Sequence, residues 1–300
     1  MTLKTPAVSS SAVLNIAHRG ARAFAPENTL EAFAKAQTFG CEMIELDVHL
    51  AKDNEIIVHH DDNLTRCTDV KHKFPERPSY FISDFSYPEL TRLDAGSWFA
   101  RELALPAENR QEFLQSLTPV EAARHVSPED FAHYTSGNVK IPTLGQTLAL
   151  ARNLGLRVNI ELKMLPRMYP GLTDAVLDLV EAMAMQTDVL ISSFDHEQLL
   201  KVRQRSPSVA TAVLTNDRLA LPGDYLQRIG ADALHPGTEP LGLHSLTRML
   251  DTDAIQAVRK LDKQVNVWTC NDKDAMRQLI AAGATGVISD YPNRVREAIG

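Results

Sequence analysis

The sequence has few cysteines, no excess of positive charge and no long apolar run, and each shortage argues against a class of protein. Cys41, Cys67 and Cys270 form no CxxC pair and leave at least one thiol unpaired, which favours a reducing compartment over a disulfide framework. The formal net charge of −7 argues against the broad basic surface that nucleic acid or an anionic membrane requires. No apolar stretch approaches the roughly 20 residues of a membrane span.

The amino-terminal segment also lacks the features of a secretory signal peptide. Only Lys4 and the short run from Ala12 to Ala17 precede the first polar motif. We therefore expect a soluble cytoplasmic protein with no nucleic-acid partner and no stable membrane association. The 300 residues, 44% of them hydrophobic, can form one large domain, and residues 1–300 are predicted as such. A homodimer is expected only because enzymes of this size are often dimers.

Short aliphatic runs alternate with helical patterns, which indicates repeated βα units around a parallel sheet. The predicted strands are Val13–Ala17, Met43–Val48, Arg157–Leu162, Val189–Ser192, Val209–Val213, Asp232–His235, Val265–Trp268 and Gly286–Ser289. The clearest predicted helices are Thr29–Phe39, Leu172–Met185, His196–Arg205, Asp253–Leu261 and Asp274–Ala282. About eight such units predict a (β/α)8 TIM barrel, with an open doubly wound sheet as the alternative.

The positions of the polar residues favour the barrel. Barrel enzymes build their sites at the carboxyl ends of several different strands. Residues of this kind follow or end the predicted strands: His18, Glu45, Glu161, His235, Trp268 and Asp290. Of these, His235 and Asp290 fit a structural role as well as a functional one.

The stretch from Asn54 to Lys140 is far longer than a usual βα connection, so we predict an insertion after the second strand. It contains about half of the chain's aromatic residues, including Tyr80, Trp98 and Phe113. These side chains give the insertion enough apolar mass for a small core of its own, or for a lid over the barrel mouth. The core is the favoured interpretation.

Two carboxylates and two histidines point to metal-assisted phosphoryl chemistry. Glu45 and Asp47 lie two residues apart in a predicted strand, and the period of two puts both on one face. A buried pair of like charges is costly unless a cation lies between them. A second histidine, His60, follows Glu45 and Asp47 in the sequence, as His18 precedes them.

Further motifs extend this pattern in a fixed order along nearly the whole chain. They are His18-Arg19-Gly20, Pro26-Glu27-Asn28-Thr29, Glu45-Leu46-Asp47, His60-Asp61 with Leu64 and Arg66, Leu93 to Phe99, Ile141-Pro142-Thr143-Leu144, Asn159 to Lys163, Val267 to Asp272 and Gly286 to Pro292. Each string alone is weak, whereas the ordered series is specific. In this series the sequence resembles the glycerophosphodiester phosphodiesterase family. The resemblance implies a (β/α)8 barrel with an insertion after the second strand, in agreement with the periodicity.

Metal binding is predicted for Glu45, Asp47 and Glu161, since the ends of the second and third barrel strands face one mouth. The alternative is that these carboxylates pair with basic residues, because Arg19 and Lys163 are close in sequence. Three acids still outnumber two cations. Ligands that are all oxygen favour Mg²⁺ or Ca²⁺ over Zn²⁺ for a single divalent cation.

Phosphodiester hydrolysis needs a base for the attacking hydroxyl and an acid for the leaving alkoxide, and histidine suits both near neutral pH. We assign the base to His18 and the acid to His60; adjacent His59 must face the other way on a strand, and the resemblance selects His60. Arg19 and Lys163 are predicted to bind the phosphate oxygens. Trp268 is predicted to line the pocket for the alcohol, although a packed core indole fits almost as well.

Structural roles are predicted for several neighbouring polar residues. Asn28 is interpreted as the cap of the first helix, with Glu31 three residues later. The acids Asp61 and Asp272 are interpreted as caps or as partners of site residues. About forty residues from Ala100 to Lys140 separate two motifs that are closer together in most family members, and this departure bears on substrate preference.

The function expected from these features is metal-dependent hydrolysis of a small glycerophosphodiester, such as glycerophosphocholine or glycerophosphoethanolamine, to sn-glycerol 3-phosphate and an alcohol. Either water or the substrate's own glycerol 2-hydroxyl can be the first nucleophile, and the second route passes through a cyclic phosphate. One alternative is a lysophospholipase D whose aromatic insertion receives an acyl chain. An alternative of another class is a non-catalytic barrel that binds phosphodiesters.

Overall fold

The structure is a computed structural model that describes residues 13–164, 169–243 and 249–300. Residues 1–12, which include most of the segment considered as a signal peptide, lie outside this range. The described strands are β1 Leu14–Ala17, β2 Met43–Leu50, β3 Ile56–Val58, β4 Arg157–Leu162, β5 Val189–Ser193, β6 Ala210–Thr215, β7 Ala233–Pro236, β8 Gln264–Val267 and β9 Gly286–Ser289.

Eight of these strands form a closed parallel barrel, which confirms the predicted (β/α)8 fold. Each neighbour pair is parallel in the order β1, β2, β4, β5, β6, β7, β8 and β9, and β9 pairs with β1 again. The remaining strand, β3, pairs antiparallel with the end of β2 and opens the insertion. The carboxyl ends of the eight parallel strands therefore meet at one mouth.

Helices connect the strands on the outside of the barrel and also make up most of the insertion. The described helices are α1 Leu30–Thr38, α2 Val70–Lys73, α3 Tyr87–Leu90, α4 Ser97–Ala104, α5 Glu112–Gln115, α6 Pro119–His125, α7 Pro128–Tyr134, α8 Leu144–Leu154, α9 Leu172–Ala182, α10 His196–Arg205, α11 Pro222–Ile229, α12 Thr252–Arg259, α13 Lys273–Ala282 and α14 Pro292–Ile299. Among them, no helix is long and apolar enough to cross a membrane.

The predicted strands match the observed barrel strands with ends that differ by at most two residues. Three outer helices, α8, α11 and α14, were absent from the prediction. Both α11 and α14 begin with proline, which is tolerated at the first helical position because its missing N–H has no intrahelical partner there. In α8, Thr143 of the Ile141-Pro142-Thr143-Leu144 motif forms a capping box with Gln146.

Short helices and buried aromatic side chains fill the insertion. Phe85, Trp98, Phe99 and Tyr134 are each less than 5% exposed, as expected for a packed core. The Tyr134 hydroxyl also donates to the carbonyl of Phe24 in the loop after β1. The insertion is thus packed onto the barrel around the mouth.

Apolar side chains fill the layer between the barrel and its helices, whereas the barrel interior contains polar groups. Asn159, Ser192, His235 and Asn266 are at most 1% exposed on inward-facing positions of their strands. His235 Nε2 lies 3.0 Å from Asn266 Nδ2, and burial lowers the pKa of His235 to about 3. His235 therefore lies inside the barrel as a neutral residue, which favours its structural role.

Candidate active site

Three buried carboxylates meet at the barrel mouth. Glu45 and Asp47 extend from β2 and Glu161 from β4, and the register pairs Asp47 with Glu161. One carboxylate oxygen of each residue lies within 4.8 Å of the other two. This group, the acidic cluster, can hold a metal ion, and its ligands are all oxygen atoms, as Mg²⁺ and Ca²⁺ prefer.

Basic residues only partly neutralise the acidic cluster. Lys163 Nζ lies 3.1 Å from Asp47 Oδ1 and 2.7 Å from Glu161 Oε1, while Arg19 Nε lies 3.6 Å from Asp47 Oδ2. The predicted alternative, pairing of acids with basic residues, is therefore present in part. When all three carboxyl groups are ionised, three negative charges against two cations leave one negative charge in excess, and a divalent cation would change the sum to one positive charge. A net positive site suits a phosphodiester anion.

The three carboxyl groups of the acidic cluster differ in the direction of their pKa shifts. Burial raises the pKa of Glu45 well above its usual range, and the negative charges of Asp47 and Glu161 add to the effect. Burial also raises the pKa of Glu161 to about 7, against the opposing effect of Lys163. Burial acts on Asp47 in the same direction, but Lys163, His60 and Arg19 together hold its pKa well below the usual range. A bound cation would relieve the repulsion at Glu45 and Glu161.

Asn28 belongs to the site, so its interpretation as a helix cap was wrong. Its Nδ2 donates to Asp47 Oδ2 at 2.8 Å, and its backbone adopts a left-handed conformation with φ +55°. The cap of α1 is the next residue, Thr29, whose hydroxyl accepts from the amide of Ala32. Asn28 therefore orients one carboxylate of the acidic cluster.

His18 follows β1 and is held by Asp290, which follows β9. His18 Nδ1 lies 2.7 Å from Asp290 Oδ1, and His18 Nε2 faces Glu45 Oε2 at 4.0 Å. Burial lowers the pKa of His18, and the nearby Arg19 adds to this effect. A neutral ring whose Nδ1–H donates to Asp290 leaves Nε2 free to accept a proton. Asp290 is thus a partner of the site.

His60 is held in the same way by Asp61. His60 Nδ1 lies 2.6 Å from Asp61 Oδ1, and the guanidinium of Arg66 bonds both oxygens of Asp61. Burial lowers the pKa of His60 to about 4, although the charge of Asp47 acts to raise it. The neighbouring His59 is 5% exposed, and its Nε2 has no hydrogen-bond partner within the described residues. His18 and His60 therefore each have their own carboxylate partner, Asp290 and Asp61.

Glu27 joins three arginines and was not predicted from the sequence. It accepts from Arg19 Nη1 at 3.0 Å, from Arg22 Nε at 2.7 Å and from Arg66 Nη2 at 2.6 Å. Burial acts to raise the pKa of Glu27, but the three guanidinium groups hold it well below the usual range. The carboxylate therefore fixes the positions of arginines that reach both the His18 and the His60 sides of the mouth.

A cavity of about 750 Å³ opens over these groups. Both histidines line it, and one part of its wall comes from the insertion: Gln111, Glu112, Phe113 and Ser116. Thr269 also lines this cavity, while the indole of the preceding residue, Trp268, packs edge-on against Phe194 at 5.5 Å. The Trp268 Nε1–H donates to the carbonyl of His235. The Trp268 indole thus packs beside the mouth, and its place in the alcohol pocket stays a prediction.

Comparison with known proteins adds independent evidence. A family model described as the glycerophosphoryl diester phosphodiesterase family matches residues 18–294. A glycerophosphodiester phosphodiesterase of Bacillus altitudinis is 29% identical over 93% of this chain and 94% of its own length. A lysophospholipase D of Rattus norvegicus is 26% identical over 94% of this chain and 85% of its own length.

The fold has close matches among solved structures. A phosphodiesterase from Oleispira antarctica, solved in complex with the product sn-glycerol-3-phosphate, superposes with a TM-score of 0.71. It covers 95% of both chains at 24% sequence identity. This similarity supports the barrel fold.

Proposed function

The chain belongs to the glycerophosphoryl diester phosphodiesterase family, and we propose that it hydrolyses small glycerophosphodiesters such as glycerophosphocholine and glycerophosphoethanolamine to sn-glycerol 3-phosphate and an alcohol. The observation that carries this proposal is the cavity in which two carboxylate-held histidines lie beside the acidic cluster. General acid–base groups next to a cation site are the combination that phosphodiester hydrolysis requires.

The acidic cluster would hold one divalent cation, Mg²⁺ or Ca²⁺, through Glu45, Asp47 and Glu161. When bound, such a cation polarises a phosphoryl oxygen and offsets the charge that develops in the transition state. Arg19 and Lys163 retain unused donors for the phosphate. Lys163 has three N–H donors, and its two carboxylate partners leave one of them free. Arg19 Nε makes no hydrogen bond within the described residues, although it lies 3.6 Å from Asp47 Oδ2.

The two histidines divide the proton transfers. His18, neutral and oriented by Asp290, accepts the proton of the attacking hydroxyl at Nε2. His60 donates a proton to the leaving alkoxide, and Asp61 stabilises its protonated ring. Burial lowers the pKa of His60, whereas the negative charge of a bound phosphodiester acts to raise it and so favours the protonated ring. A hydroxyl of the substrate or a water molecule can be the nucleophile in this scheme.

The test is to follow glycerol 3-phosphate and choline released from glycerophosphocholine by the purified protein. We expect equimolar products, and we expect His60→Ala to abolish their release while His72→Ala, a change of a histidine outside the cavity, does not. Time-resolved ³¹P spectra would show whether a cyclic phosphate precedes the product. Binding without turnover in the wild-type protein would support the non-catalytic alternative and overturn this proposal.

Lysophospholipase D activity is the second candidate. The resemblance to the rat lysophospholipase D and the aromatic residue Phe113 in the cavity wall favour it. Against it, the residues next to Phe113 in that wall, Gln111, Glu112 and Ser116, are polar and suit a small alcohol better than an acyl chain. Release of choline from lysophosphatidylcholine at a rate that exceeds release from glycerophosphocholine would establish this candidate instead.

A cytoplasmic location is also part of the proposal, supported by three buried cysteines that are all free thiols. The predicted homodimer is tested by sedimentation of the purified protein. Fractionation of the source cells would test the location.

A further inference from the structure

The insertion contributes a fixed segment to the cavity wall. The Tyr291 hydroxyl donates to the carbonyl of Phe113 at 2.6 Å, and Arg294 donates to the carbonyl of Ser116 at 2.7 Å. The Arg22 guanidinium stacks 3.7 Å from the centre of the Phe113 ring. Residues 111–116, the wall segment, are therefore attached to the barrel by contacts from α14 and from the loop after β1.

The wall segment reaches both sides of the cavity: Phe113 packs on Arg22, which bonds Asp290 on the His18 side, and Gln111 is linked to the His60 side. Asp61 holds His60, Arg66 holds Asp61, and Arg66 Nη1 donates to Gln111 Oε1 at 3.1 Å. The group that protonates the leaving alkoxide is therefore linked by hydrogen bonds to the wall segment. Under the proposed function, the alcohol leaves beside His60, into the cavity that Glu112 also lines.

The charges that line the cavity are unevenly paired. Each arginine in its wall has a carboxylate partner: Arg19 and Arg22 have Glu27, Arg66 has Glu27 and Asp61, and Arg294 has Glu121. Glu112 and Asp272, by contrast, are exposed and lie within ion-pair distance of no basic side chain in the described part of the chain. The unpaired charges of the wall are thus negative and are available to a cationic group of the substrate.

From this arrangement we propose that Glu112 determines specificity for alcohols that carry an ammonium group, such as choline and ethanolamine, over neutral alcohols. The inference rests on the proposed hydrolysis of glycerophosphodiesters and adds the chemical class of the alcohol. The Glu112 carboxylate attracts the ammonium group while Arg19 and Lys163 bind the phosphate. Glu112 lies in the Ala100–Lys140 stretch, which the sequence predicted to bear on substrate preference.

The experiment compares kcat/KM for glycerophosphocholine with kcat/KM for glycerophosphoglycerol, whose alcohol is neutral. A single exposed ion pair is worth up to about 1 kcal/mol, so Glu112→Gln should lower the choline-to-glycerol ratio by about fivefold. Glu112→Lys should lower it further, and high salt should reduce the effect. Glu108→Gln, the same change at an exposed insertion residue outside the cavity, is the matched control and should leave the ratio unchanged.

The outcomes separate this inference from the proposed function. The specificity role is refuted if Glu112→Gln leaves the choline-to-glycerol ratio unchanged or lowers kcat/KM equally for both substrates. It is also refuted if Glu112→Gln changes the ratio no more than Glu108→Gln does. The proposed hydrolysis stands in each case. If the wild-type protein hydrolyses neither substrate, the proposed function fails and this inference fails with it. Equal melting temperatures of the variants and the wild type would show that the comparison concerns folded protein.

Discussion

Replacing Asp290 by asparagine tests the role assigned to the His18 partner. The Asp290 carboxylate accepts from three donors: His18 Nδ1 at 2.7 Å, Arg22 Nη1 at 3.4 Å and Asn271 Nδ2 at 2.7 Å. An asparagine has one oxygen for these donors, and its amide nitrogen must face either His18 or Asn271. The Asn271 amide cannot flip without losing two hydrogen bonds, because its Oδ1 accepts from the Ser289 hydroxyl and from the backbone N–H of residue 290.

The expected decrease in kcat for Asp290→Asn follows from the weakened hydrogen bonding between residue 290 and its donors, His18 and Asn271. A hydrogen bond to a charged group contributes about 1.5–3 kcal/mol, which corresponds to a decrease in kcat of roughly 10- to 100-fold. The negative charge of Asp290 acts to raise the pKa of His18, against the larger effect of burial. Its removal should therefore lower the His18 pKa further and move the acid limb of the kcat/KM profile to lower pH.

The assay measures glycerol 3-phosphate release from glycerophosphocholine between pH 4 and 9, with kcat and KM determined separately. Asp274→Asn is the matched control, because this aspartate is on the surface of α13 and its side chain is 81% exposed. A fall in kcat together with a shifted acid limb would support the positioning role. A kcat for Asp290→Asn within about twofold of the control would refute the reasoning.

Three further predictions concern neighbouring contacts. Asn28→Ala should raise the metal concentration for half-maximal activity by about tenfold, since Asp47 loses the amide hydrogen bond that orients it. Asn54→Ala, at an exposed residue with φ +63°, should not change it. Arg294→Ala should lower the free energy of unfolding in urea by about 2 kcal/mol, because Glu121 and Ser116 lose charged hydrogen bonds; an unchanged midpoint would contradict this. Burial acts to raise the pKa of Glu121, but Arg294 and neighbouring donors lower it to about 2. The stabilising contribution of Glu121 is therefore present above the ordinary pKa of 4.5 and is lost as pH falls towards 2. Between these pH values, the melting temperature of Glu121→Gln should depend less steeply on pH than that of the wild type.

The barrel and the convergence of the candidate site residues were predictable because they depend on local sequence patterns. Alternation in β2 places Glu45 and Asp47 on one face, and the parallel register of β4 brings Glu161 beside them. The polar residues that follow the strands converge because the barrel closes. His18 and His60 likewise share one cavity, as the ordered motifs suggested.

Other parts of the site depend on contacts that spacing does not specify. Asn28 precedes a helix, and a cap is the usual role of such an asparagine; its backbone, with φ +55°, instead turns the amide towards Asp47. Glu27 bonds arginines from two separate loops. Sequence separation likewise hides the contact between Phe113 and Tyr291, which places the insertion in the cavity wall. The adjacent Glu27 and Asn28 within one motif were the only local signal for either role.

The most direct test of the central claim is the metal dependence of glycerol 3-phosphate release from glycerophosphocholine. Protein treated with a chelator should be inactive, and Mg²⁺ or Ca²⁺ should restore the wild type. Glu161→Gln should remain about 100-fold less active at the same cation concentration, because it removes one charged ligand of the acidic cluster. Glu181→Gln, an exposed change on α9, should behave as the wild type. Full turnover in the chelated protein, or in Glu161→Gln, would contradict the account.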